Sequence, residues 1–277
     1  MVYNSHFELE VIQYGKNYWL GIKNMMLYQE RVEFILQQLQ LQSTVKVVEL
    51  SHLLDVSVDT IRRDLKSMEN NGLVRCVRGG ACLPEVVASF QNFTGREIVN
   101  SDLKMEAARK AISLIKEGDV VAINSGTTNT ILAKEMLTVD KQITVVTNNH
   151  AAVSILMQNP FVHIIAVGGD IDPLERSTYG TVCENEFGQY YPDIAFLSIN
   201  AVNSTDGFTD FRFNEIGIIQ LLAQTSKQVI AVMDSSKLGK CSKRKVLSRS
   251  QVDFLVMDNH VSENTKDKYS KKGIQII

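Results

Sequence analysis

The chain has 277 residues and nearly balanced charge, 29 Lys and Arg against 31 Asp and Glu, for a formal net charge of −2 at pH 7. Its length has room for one large domain, or one small and one large, and its balance rules out bulk attraction to polyanions as a mode of action. Cys76, Cys82, Cys183 and Cys241 lack CxxC or metal-type spacing and the five histidines are scattered, so no metal or cofactor is expected and the thiols read as reduced, as in a cytoplasmic protein.

No apolar run approaches the ~18 residues of a membrane span, and no charged-then-apolar leader opens the chain. Residues 1–25 read as an N-terminal extension, either loosely ordered or ahead of a true start at Met25 or Met26. A helix is expected from about Met26 to Gln40, with Val32, Ile35, Leu36 and Leu39 on its core face and Glu30, Arg31, Gln37 and Gln38 in water. Ser43 to Lys46 reads as a short extended piece, Val47 to Leu54 as a second helix and Asp55 to Ser57 as a tight turn. Ser57 then caps a third helix, whose stripe of Val58, Ile61, Leu65 and Met68 faces inward. The opposite face is centred near Arg63 and flanked by Asp59 and Lys66, with Thr60 and Arg62 further round. Helix, tight turn, helix is the geometry that lays a recognition helix in the major groove, where Arg can bond bidentately to guanine. The bland alternative is a solvated helix on which Asp59 and Arg63 pair at i, i+4. Asn71-Gly72 ends the helix, and Leu73 to Ala81 reads as two strands around Gly79-Gly80, a wing that places Arg75 and Arg78 at phosphates. Met26 to Pro84 holds seven Lys or Arg and seven Asp or Glu, but Arg62, Arg63, Lys66, Arg75 and Arg78 cluster on helix and wing. Local placement rather than net charge sets phosphate contacts.

Residues 26–84 therefore read as a winged helix-turn-helix and 85–101 as a linker, with Pro84 at its start. From residue 102 a helix leads into apolar strands alternating with helices: strands at Val120–Ile123, Ile143–Thr147, Val162–Val167, Ile194–Ile199, Gln228–Met233, Val252–Met257 and Ile274–Ile277, and helices at Thr128–Leu137, Ala151–Gln158, Cys183–Tyr190, Asn214–Thr225 and Ser262–Lys272. That alternation argues a mainly parallel α/β sheet covered on both faces over 102–277. Asn124-Ser125-Gly126-Thr127-Thr128 sits between strand and helix, where free amides and hydroxyls at a helix N-terminus make an anion site. Thr147-Asn148-Asn149, Gly168-Gly169, Asp206-Gly207 and Asp234 to Lys237 follow other strands, and strand ends of an open sheet share one crevice.

Val56-Ser57, Thr60-Ile61-Arg62-Arg63-Asp64-Leu65, Asn71-Gly72-Leu73 and Arg78-Gly79-Gly80-Ala81 resemble the DeoR family of bacterial transcriptional repressors. Phe93 and Arg96 match an aromatic-x-x-Arg element common in that family's linker. The resemblance covers Met26 to the C-terminus and implies an effector domain similar to ribose-5-phosphate isomerase. It implies that Ser125, Gly126, Thr127 and Thr128 hold a phosphate, that Lys104 neutralises it, and that Asp206 and Lys237 line the sugar side. Asn124 of the same turn, and Thr147, Asn148, Gly168 and Gly169 at the shared strand ends, complete the expected effector site. Asn124 stands where the family usually has Asp, Ser198-Ile199-Asn200-Ala201-Val202 where a Gly-x-Asp-Gly-Ile segment is common, and Gly217 where a Lys is often found.

The expectation is a regulator of a carbohydrate catabolic operon that represses by binding double-stranded operator DNA and is relieved by a phosphorylated sugar. Its DNA residues are Ser57, Asp59, Thr60, Arg62, Arg63, Lys66, Arg75 and Arg78, and the assembly is a homodimer or homotetramer, because one head buries too little surface for tight specific binding. The rival is an isomerase with an appended DNA-binding head, using Asp206 and Glu215 as acid and base. A third reading gives the head a protein partner instead of DNA.

Overall fold

The computed structural model describes residues 27–42, 44–71, 73–83 and 93–277. The expected extension at 1–25, the Gly72 cap, Pro84 and the 85–92 part of the linker lie outside the described residues. The chain divides into an N-terminal and a C-terminal unit.

The first unit holds α1 (Tyr28–Gln42), β1 (Thr44–Lys46), α2 (Val47–Leu54), α3 (Val58–Asn70), β2 (Arg75–Val77) and β3 (Gly80–Cys82). Strand order is β1-β3-β2, and Thr44 to Lys46 pairs antiparallel with Gly80 to Cys82. Ile35 and Leu39 of α1 meet Leu50 of α2 and Ile61, Leu65 and Met68 of α3 in one small apolar core. The turn between α2 and α3 is tight because Asp55 takes a left-handed conformation at φ 51°, which a short polar side chain tolerates. At the wing, Gly80 is required by contact, since a Cβ there would lie 2.0 Å from the Val45 carbonyl oxygen. Arg31 departs from expectation. It does not face water but donates from Nε to Asp64 at 2.6 Å and from its terminal amine at 3.1 Å. Asp64 lies on the buried side of α3 and needs a cation there, and α1 supplies it.

The second unit begins with α4 (Phe93–Ile98) and α5 (Ser101–Ile112), so the expected linker at 85–101 contains a helix. A six-stranded parallel sheet follows, in the order β14-β12-β9-β4-β5-β6. Its strands are β4 (Val120–Ile123), β5 (Ile143–Thr147), β6 (Val162–Ala166), β9 (Ile194–Leu197), β12 (Gln228–Val232) and β14 (Phe254–Val256). Val121, Ile123, Phe196, Ile230 and Val232 pack on one face and Ala122, Leu197 and Ala231 on the other. Burial on both faces explains why these strands read as unbroken apolar runs. Covering helices are α6 (Thr127–Glu135), α7 (His150–Leu156), α8 (Gly180–Phe187), α9 (Ile216–Thr225) and α10 (Glu263–Ser270).

Two features were not expected. A hairpin of β7 (Asp170–Asp172) and β8 (Ser177–Tyr179) precedes α8, and β10 (Ala201–Asn203), β11 (Gly207–Asp210) and β13 (Arg244–Leu247) form a separate antiparallel sheet. Their strands are three or four residues long, too short for a two-residue alternation to stand out in the sequence. The expected closing strand at Ile274–Ile277 makes only a bridge, Ile276 to Leu255, at the sheet edge.

Candidate functional site

On α3, the Ser57 hydroxyl accepts from the Thr60 amide at 3.1 Å and lies 2.8 Å from the Thr60 hydroxyl. Ile61, Asp64, Leu65 and Met68 are buried, and Asp59, Arg62, Arg63 and Lys66 are exposed on the outer side. The ion pair on this face is not Asp59 with Arg63. Arg62 donates to Asp59 at 3.0 Å, which leaves Arg63 without an ion pair among the described residues. Lys66 donates to Glu69 at 2.7 Å, and the other Glu69 oxygen accepts the Cys76 amide of β2 at 2.9 Å. Lys66 together with that amide holds the Glu69 carboxyl below its usual range, and the wing strand is thereby tied to the recognition helix. Arg75 and Arg78 are exposed on the wing. The face therefore presents cations around an unpaired arginine, a surface suited to phosphates and guanine edges.

The second site lies where β4 runs into α6. Gly126 precedes the first turn at φ 129° with no side-chain cap, and a Cβ there would meet the Ser198 hydroxyl at 2.5 Å and an Arg212 nitrogen at 2.8 Å. Only glycine fits, and the backbone of the first turn is left facing a small recess. Thr127, Thr128, Lys104, Arg96 and Lys237 line this recess with Ser198, Asn200 and Phe211. It opens into a crevice of about 880 Å³, bordered also by Asp234, Phe213 and Lys243. Burial pushes the Lys104 ammonium down to about 8 and lowers Lys237 as well. Lys104 forms no ion pair among the described residues. It donates to the Val99 carbonyl at 2.8 Å and to the Arg96 carbonyl. Buried cations beside helix-terminal amides form an environment that an anion would relieve.

Beneath the recess is a closed polar layer. Arg212 grips Asp210 with two bonds, 3.0 and 2.7 Å, and also donates to the Ser125 and Ser198 carbonyls at 2.8 and 2.7 Å. Burial alone would raise the Asp210 carboxyl, but Arg212 outweighs it and holds the group below its usual range. Glu215 is fully buried and accepts from Asn124 at 3.1 Å, the Ser125 amide at 3.2 Å and Asn148 at 2.9 Å. Burial still wins there and raises its carboxyl despite Arg212. This explains Asn124. Its amide faces Glu215 while its oxygen accepts from the Ser198 amide at 2.8 Å, so an Asp would set a second carboxylate against a buried one. At Gly217 a Cβ would meet the Glu184 carboxylate at 2.1 Å, a side-chain end that can swing away, so nothing in the structure requires glycine there.

Of the twelve residues expected at this site, Lys104, Gly126, Thr127, Thr128 and Lys237 line the recess. Asn124, Ser125 and Asn148 stand behind it, and Thr147 bonds the Ile123 carbonyl at 2.8 Å, tying two strand ends together. Three residues lie elsewhere. Gly168 donates to Glu186 at 3.3 Å and Gly169 packs on Tyr179 and Cys183, both beyond β6 at the edge of the sheet. Asp206 is exposed in the β10–β11 turn, accepting from Asn203 at 2.8 Å, because the unexpected hairpin carries it away from the strand ends. Sequence reading missed Arg212, Ser198, Asn200 and Phe211 as site residues, whereas Asp234, expected among the strand-end clusters, does border the crevice. The opposite charges two residues apart in Asp210-Phe211-Arg212 were the available signal. Glu106, Asp258 and His260 bring ligand-type atoms within 4.8 Å of one another, but Asp258 already accepts from the Ser235 and His260 amides.

Residues 31–86 match the DeoR-like helix-turn-helix domain and 99–259 the DeoR C terminal sensor domain. The chain is similar to the HTH-type transcriptional regulator GolR of Listeria innocua, 30% identical over 89% of this chain and 97% of that one. It is also similar to the HTH-type transcriptional repressor GlcR of Bacillus subtilis, 31% identical over 91% and 96%. Among solved structures, ribose 5-phosphate isomerase A of Methanocaldococcus jannaschii matches at TM-score 0.38 and 19% identity over 50% of this chain and 55% of that one.

Proposed function

The chain belongs to the DeoR family of transcriptional regulators, and from that premise we propose that α3 and the wing bind an operator of a sugar-catabolic operon while a phosphorylated sugar binds in the crevice and releases it. The chain is a DNA-binding regulator and not an enzyme. The two groups that the isomerase reading relied on are not set for that chemistry: Asp206 is exposed in a hairpin and Glu215 is sealed among amides. The observation that carries the effector reading is the recess at the first turn of α6, where Gly126 clears the backbone and Lys104 and Lys237 stand opposite. Among the described residues no helix is long and apolar enough to cross a membrane, and we place the regulator in the cytoplasm with its operator.

Effector and operator binding are linked reciprocally, so DNA weakens the effector by the factor that the effector weakens DNA. A single head buries too little for tight specific binding, which favours a homodimer or homotetramer on repeated half-sites. The test is competition binding of the purified chain to its own promoter against random duplex at moderate salt, with and without sugar phosphates. Promoter preference that falls with one sugar phosphate in the wild type and not in Thr127→Glu supports the proposal. No promoter preference refutes the operator assignment, and a Thr127→Glu variant that still responds refutes the crevice.

A further inference from the structure

Helix α4 forms one wall of the crevice and is held on several sides. Arg96 lines the recess, pairs with Glu175 and lies 5.1 Å from the Phe211 ring centre. Glu97 accepts from Lys134 of α6 at 2.9 Å. Asn100, in a left-handed conformation at φ 55°, donates to Asp234 at 3.1 Å and to Ser236 at 3.0 Å. Lys104 then points back and donates to the carbonyls of Arg96 and Val99, at and just past the end of α4. Carbonyls there have no intrahelical partner and favour a cation. The same ammonium borders the recess with Thr127 and Thr128, and an ammonium has three donors, two of which are already in use. Close by, the Asp234 Oδ2 atom is buried with no hydrogen-bond partner among the described residues, so a second acceptor is available if the ammonium moves.

Building on the reading of the recess as an anion site, we propose that Lys104 is a positioning residue that couples anion occupancy to the segment 93–100. An anion at the first turn of α6 and the α4 carbonyls compete for one ammonium. When the anion draws it, α4 loses its C-terminal donor and the segment loosens.

The experiment is hydrogen exchange on the full chain with and without inorganic phosphate at millimolar concentration. In the wild type, phosphate slows exchange of the 127–129 amides and speeds that of 97–99 by about tenfold, the effect of losing one ordinary hydrogen bond. Lys104→Met shows fast exchange at 97–99 without phosphate and no further change with it, and Lys104→Arg restores protection. Slowed exchange at 127–129 with 97–99 unchanged overturns the coupling and leaves the anion site standing. No effect at 127–129 overturns the anion site and the coupling together. If Lys104→Met does not fold, the wild-type comparison and Lys104→Arg still decide the matter.

Discussion

The recognition helix and the crevice solve opposite problems. On α3 the side chains proposed to meet DNA point outward, carry their charge in water and leave the fold to Ile61, Leu65 and Met68 behind them. In and behind the crevice Arg212, Asp210, Glu215 and Lys104 are buried, and each is tied by hydrogen bonds to the groups that shape the site. The difference teaches where function and stability can be separated. A surface cation tests recognition alone, whereas a buried one cannot be changed without disturbing the unit that carries it.

Substitution at Arg212 strains that contrast most. Arg212→Met leaves Asp210 buried without its cation and costs about 3–5 kcal/mol of stability, read as a lower denaturation midpoint in urea; an unchanged midpoint would place the polar layer outside the cooperative core. Lys104 comes next. Its folded pKa, about 8, is depressed from 10.5, so in that window the unfolded chain binds the proton that the folded chain has released. Stability therefore rises with pH through the window, with an upper limit of about 3 kcal/mol from this residue. The rise is absent below pH 8, where both states are protonated. Unfolding at pH 8 and pH 10 should show the wild type gaining on Lys104→Met, and parallel curves would mean the ammonium is not effectively desolvated. Gly126→Ala must accept a positive φ and displace Ser198, at a cost of about 2 kcal/mol, and it should abolish phosphate protection of 127–129. At the small end, Arg63→Ala should leave stability within about 0.5 kcal/mol yet lose on the order of 1–3 kcal/mol of discrimination at one base pair. Operator titrations with single-base changes measure that loss, and a large drop in melting temperature would end the separation between recognition and fold.

How much of this was legible in the sequence follows the same division. The face of α3 could be drawn from a helical wheel, because periodicity fixes which residues leave the core, and the parallel sheet could be read from its apolar runs. Periodicity did not show that Asp64 sits inside with Arg31, because a buried ion pair looks on a wheel like two more polar residues. In the crevice, Gly126 to Thr128 were found because a strand–turn–helix junction has its own local chemistry. Asp206 was placed there by the rule for strand ends, and it fails because the β10–β11 hairpin is an antiparallel addition that the rule does not cover. By itself the sequence determined the two-part architecture, the exposed cations of the recognition helix and the phosphate-type turn, all of which depend on neighbours a few positions away. Only the tertiary structure decided that Arg212 braces the turn, that Asn124 answers a buried Glu215 and that Lys104 reaches back to α4. Those pairings join residues far apart in the chain, and they are set by desolvation, which depends on what surrounds a group and not on what precedes it.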